Sequence, residues 1–212
     1  MDVHGSLAPV LGLGFLLGLR HATDADHLAA VCTLASRHRS VVRSALLGSF
    51  WGFGHTLALL AGAAVTMALR LTISPAVAET LERLVGVMLV GLGGQVVVQA
   101  LRGVHVHPHD HAYDHLLRLG TRPFLVGLMH GLAGSAGLTL LVVSSVSSPW
   151  SGVLYIVVFG AGSTAGMLVL SGLIGLPFVL TARHSDALHL GLRLAAGAAS
   201  LGLGVWLLRD LL

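Results

Sequence analysis

The chain has 212 residues, of which 55% are hydrophobic and only 10% charged, and its mean hydropathy is +0.87. Soluble domains carry about 25% charged residues, so this composition excludes an ordinary soluble enzyme and indicates an all-α integral membrane protein with the lipid bilayer as its surroundings. The net charge of +3 rests on 12 arginines and no lysine; they form no stripe, which excludes a nucleic-acid surface, and the single cysteine, Cys32, excludes an internal disulfide.

Six apolar stretches follow one another, at 6–36, 43–69, 79–102, 122–147, 151–181 and 187–210, each long enough to span a bilayer. The first reads as one helix of about 45 Å. It begins without a positive segment, so it is expected to be retained and not cleaved as a signal peptide. Near its centre lies Arg20-His21-Ala22-Thr23-Asp24-Ala25-Asp26-His27. Each ionisable group there costs about 2.5–3.5 kcal/mol to insert, so a role in binding is the default reading, and a metal ion the leading ligand. On a straight helix at about 100° per residue, His21, Asp24 and His27 share a stripe about 120° wide, with Asp26 about 140° from His21. Two imidazoles and a carboxylate suit nickel, cobalt or zinc. Asp26 joins them if the polar run loosens the helix; otherwise it orients a ring N–H. Arg20 stands four residues before Asp24, so Asp24 is either a ligand or the partner of a salt bridge.

The second stretch carries His55 near its middle, either a packing histidine or a further ligand. The third holds Gly91, Gly93 and Gly94, and the sixth Gly197, Gly202 and Gly204, which are expected to form close-packing faces. Gln95 is expected to bridge helices. Between the third and fourth stretches, His105, His107, His109, His111 and His115 make a tract whose composition suits divalent metal, with spacing too loose for a structural zinc site. The fourth stretch contributes His130, either a packing histidine or a further metal ligand like His55, and Ser135; the fifth contributes Ser163 and Thr164, and these hydroxyls either line a path or bond between helices. His4, His38, His184 and His189 lie near membrane edges and receive no role.

Arg37, Arg39, Arg43, Arg102, Arg118, Arg122 and Arg183 fall in alternate connections, which places the 104–121 loop in the cytoplasm and both termini outside. Gly18-Leu19-Arg20-His21 aligns with Gly127-Leu128-Met129-His130, Gly52-Phe53-Gly54-His55-Thr56 with Gly160-Ala161-Gly162-Ser163-Thr164, and Gly91-Leu92-Gly93 with Gly202-Leu203-Gly204. Three helices therefore repeat in order, and an odd number inverts the second copy across the membrane. The expectation is a single transmembrane domain over 1–212. It comprises a first repeat over 1–103, a His-rich cytoplasmic loop over 104–121 and a second, inverted repeat over 122–212.

Arg20 to Leu28 closely resembles the first motif of the nickel/cobalt transporter superfamily, His-x4-Asp-His, whose core falls on His21, Asp26 and His27. Phe53-Gly54-His55-Thr56 is similar to the second motif, and His130-Gly131-Leu132-Ala133-Gly134-Ser135 resembles the urease-accessory and related permease branch. The resemblance implies permeation of Ni²⁺ or Co²⁺ as cargo, with no prosthetic group, through His21, Asp26 and His27 in an inner membrane. It also points to metal-delivery proteins or urease and hydrogenase maturation proteins as cytoplasmic partners. Larger members carry carboxylates in their second half, where this chain has no acidic residue between Asp114 and Asp186. Inward transport leads, and efflux is the alternative. From other classes come an intramembrane hydrolase, using Ser135 with His130 or a bound zinc, and a metal sensor or scaffold. No Gly-x4-Gly-Lys-Ser/Thr loop is present to mark an ATPase.

Overall fold

A computed structural model of the chain describes residues 4–69, 74–102, 120–133 and 149–210. All of its regular structure is helical: α1 (His4–His21), α2 (Ala25–Ala35), α3 (Val41–Leu69), α4 (Pro75–Leu101), α5 (described over 120–133), α6 (Pro149–His184) and α7 (Asp186–Asp210). Among the described residues, α3, α4, α6 and α7 are each long and apolar enough to cross a membrane. At 1.5 Å per residue, the 36 residues of α6 exceed a hydrocarbon core of about 30 Å. The molecule is a membrane protein. The 104–121 loop, its histidines and Ser135 lie outside the described residues, apart from the helical start at 120.

The first stretch is not one straight helix. It breaks over residues 22–24 because the polar side chains offer the backbone another partner. Thr23 donates both its Oγ1, at 2.6 Å, and its backbone N–H, at 2.8 Å, to the Arg20 carbonyl, and the Asp24 N–H donates to the His21 carbonyl at 3.1 Å. Asp24 is extended, at φ −61° and ψ 147°, and α2 starts anew as Leu28 donates to the Asp24 carbonyl. The 120° stripe drawn for a straight helix therefore does not form. Of the two readings of Asp24, ligand or partner of Arg20, the described contacts show neither directly: its carboxylate accepts a hydrogen bond from His21 Nδ1 at 2.7 Å.

Helix α3 packs along α6, α4 along α7, and α1 along α6, while α2 is wedged among α3, α4, α6 and α7. Glycines set these approaches, and their contacts come in matched pairs. A Cβ on Gly18 would strike the Phe159 carbonyl, and one on Gly127 the Trp51 carbonyl. A Cβ on Gly54 would strike the Phe124 carbonyl, and one on Gly162 the Phe15 carbonyl. Between α4 and α7, Gly93 lies against the Gly197 carbonyl, and Gly204 against the Gly86 carbonyl. Thr56 Oγ1 and Thr164 Oγ1 stand 3.1 Å apart, so that the two matched threonines touch each other. Gly91 and Gly202 depart from the expected packing faces: a Cβ on either would meet nothing within 4 Å. Gln95 Oε1 accepts a 2.9 Å hydrogen bond from Arg37 and so ties the end of α2 to α4.

Candidate metal centre

The break at 22–24 turns the C-terminal end of α1 and the N-terminal end of α2 toward the interior. His21 ends α1, and Asp26 sits in the first turn of α2, where the helix dipole favours a carboxylate. Helix α3 supplies His55, and α5 supplies His130. His27, His55 and His130 are fully buried, His21 is partly so, and the Asp26 side chain is 31% exposed.

Two sets of three side chains have their ligand atoms within 4.8 Å of one another: His21, His27 and His55, and Asp26, His27 and His130. In the first set, His21 Nε2 and His55 Nε2 are 3.2 Å apart. Ligand nitrogens at about 2.0–2.1 Å from one ion are separated by about 3.0–3.4 Å when adjacent, so this pair already has ligand spacing. In the second set, the Asp26 carboxylate accepts from His27 Nδ1 at 3.0 Å and from His130 Nε2 at 2.8 Å. Asp26 also accepts from the His27 backbone N–H at 2.9 Å.

Carboxylates orient the rings. Asp24 engages His21 Nδ1 and leaves Nε2 to face His55. Asp26 engages His27 Nδ1, and His27 Nε2 is buried with no partner among the described residues. The same holds for His55 Nδ1 and His130 Nδ1. Unpartnered buried nitrogens are costly in a membrane interior. A ring nitrogen with a free lone pair, held by a carboxylate on its other side, is the arrangement that metal-binding histidines use. The chemistry of the set fits a borderline divalent ion: imidazole nitrogens and one carboxylate, no thiolate.

The two acidic residues of the sequence cluster take different places. Asp26 lies between His27 and His130, whereas the Asp24 carboxylate, 51% exposed, pairs among the described residues with His21. Ser163 is fully buried, and its hydroxyl has no partner among the described residues. Thr164 bonds Thr56 on the seam between α3 and α6.

Trp51 was not legible as part of the site. Its ring centroid lies 5.2 Å from that of His27 and 5.7 Å from that of His130, forming an apolar wall. Its spacing of four residues from His55, which puts both on one face of a helix, is the signal that points to it. Phe159 stands 5.5 Å from His21 on the opposite side.

Among known proteins, the chain is 40% identical over 185 residues to the urease accessory protein UreH of Bacillus sp. (strain TB-90), covering 84% of this chain and 81% of that protein. It is 27% identical over 177 residues to the Chloroplast protein FOR GROWTH AND FERTILITY 1 of Arabidopsis thaliana, covering 76% of this chain and 48% of that protein, or about half its length. No protein-family model matches the chain, and no solved structure matches it significantly.

Proposed function

This chain belongs to the family of the urease accessory protein UreH, and we propose that it is a secondary permease for Ni²⁺ or Co²⁺, carrying the ion inward across the cytoplasmic membrane toward urease maturation. The observation that carries the reading is the convergence of four histidines and one carboxylate from α1, α2, α3 and α5 in the interior of a membrane protein. Ion passage needs such a site to replace hydration and then release the ion. The break between α1 and α2 supplies irregular backbone of the kind that transporters place at their binding sites.

The proposed architecture is six spans in two inverted three-helix repeats, 1–103 and 122–212, with both termini outside and the loop at 104–121 in the cytoplasm. The first span is then the broken pair α1 and α2. The matched glycine contacts support it, because two copies related by a two-fold axis must exchange contacts reciprocally. Gly18 against Phe159 and Gly127 against Trp51 are such an exchange. In this reading Ser163 and Thr164, and Ser135 in sequence, line the path, and the histidine tract of the loop gathers metal. Asp24 acts by holding His21. The hydrolase reading is not favoured: the relative that shows the family is named an accessory protein and not a hydrolase, and the Ser163 hydroxyl has no partner among the described residues to serve as its base.

The test is ⁶³Ni²⁺ uptake by liposomes that contain the purified chain. Saturable uptake driven by an inward metal gradient is expected, and none above empty liposomes rejects the reading. Single cysteines at residue 1 and within 105–115 should differ in accessibility from one side; equal labelling rejects the topology.

A further inference from the structure

Resting on the permease reading, we infer that the ion occupies two alternative positions that share His27: one formed with His21 and His55, the other with Asp26 and His130.

His27 belongs to both ligand sets. It is also held symmetrically. Its ring lies 4.5 Å from His21 and 4.2 Å from His130, at an interplanar angle of 67° in both cases. His21 and His130 are themselves matched residues of the two halves, each next to a matched aromatic ring, Phe159 for His21 and Trp51 for His130. The buried His27 thus stands between two equivalent imidazoles contributed from opposite halves.

The two positions differ in chemistry. One offers imidazoles only, oriented by Asp24; the other replaces one imidazole with the Asp26 carboxylate. Ligand atoms of both sets lie within a few ångströms of the same ring, and two divalent charges that close repel strongly. His27 Nδ1 is held by Asp26, so its one free nitrogen, Nε2, serves one ion at a time. If His27 remains bound while the partners change, the ion crosses from one set to the other without losing all of its ligands. Each position is weaker than a site using all five groups, which suits release.

The experiment uses the full chain purified in detergent, with Co²⁺ as the probe, read by equilibrium dialysis and by its visible ligand-field spectrum. Wild type should bind one Co²⁺. His55→Asn and His130→Asn should each still bind one ion. Removing one of two alternative positions of similar affinity costs about twofold, far less than the roughly 10- to 100-fold typical of losing even an outer-shell partner of a single site. Their spectra should differ, since one variant keeps the carboxylate position and the other the all-imidazole position. His27→Asn, and the double variant of His55 and His130, should not bind. The double variant serves where His27→Asn fails to fold. Loss of binding in either single variant, two ions bound together in wild type, or identical spectra would overturn the inference while leaving the permease reading intact. A folded wild type that binds no Co²⁺ would overturn both.

Discussion

His55 and Ser163 occupy matched places on α3 and α6, yet only one can hold a metal ion. Around them the packing is duplicated: Gly18 and Gly127 each meet a carbonyl of the other half, and Thr56 meets Thr164. The ligands are not duplicated. In the aligned sequence His21 has its counterpart in His130, but His55 is matched by Ser163 and His27 by Ala136. In the proposed repeat, close packing constrains both halves equally, because a lost glycine contact disrupts either one. A binding site needs its ligands once, so in that reading one half carries most of them while the other supplies a single histidine.

The largest expected effect tests that imbalance. His27→Ala should abolish Ni²⁺ uptake in liposomes while the protein still inserts, because both ligand sets lose a member. Uptake at half the wild-type rate or more would move the site elsewhere.

Packing should respond evenly. Gly18→Val and Gly127→Val each drive a side chain into a backbone carbonyl of the facing helix, and forced overpacking costs about 1–3 kcal/mol or more. Thermal unfolding in detergent should show both destabilised by similar amounts. One variant matching wild type would break the equivalence of the halves.

The pH dependence should follow the ligands. Imidazole and carboxylate bind a divalent ion only when deprotonated, so protons compete and binding weakens as pH falls. Uptake at limiting Ni²⁺ should therefore drop between about pH 7.5 and 5.5, the histidine range, and recover with added Ni²⁺. His38, in the connection between α2 and α3, is pushed down to about 4 by burial and then by Arg43 and Arg37. It stays neutral across this window, so His38→Ala should leave the profile in place; a profile that moves with His38 would shift the titrating group outside the site.

The smallest effect concerns Ser163. Its buried hydroxyl has no partner among the described residues, so Ser163→Ala removes an unsatisfied group and should leave stability unchanged or raise it by up to about 1 kcal/mol. A few-fold slower uptake with no loss of stability would place the hydroxyl on the ion's path; unchanged uptake would leave it a passive mate of His55.

Membrane character could be read from composition alone, because burying so many apolar residues in water has no soluble solution at this charge content. The helical stretches were legible for the same reason: lipid obliges the backbone to bond within each segment. Their extents agree closely where described, as for 43–69 against Val41–Leu69 and 187–210 against Asp186–Asp210. Spacing of polar residues also drew attention to His21, Asp26, His27 and His55. It could not say that the first stretch breaks at 22–24, since a local choice between helix and side-chain capping turns on a few hydrogen bonds of the Thr23 and Asp24 groups. That break decided which carboxylate points inward: a straight helix favours Asp24, and the broken one presents Asp26 to His130. Contacts across 104 residues of chain, such as Asp26 with His130, have no periodic signature in the sequence. Only the packing of α2 among four other helices brings those groups within reach, because long-range approach is set by how helix surfaces fit and not by the order of residues along any one of them.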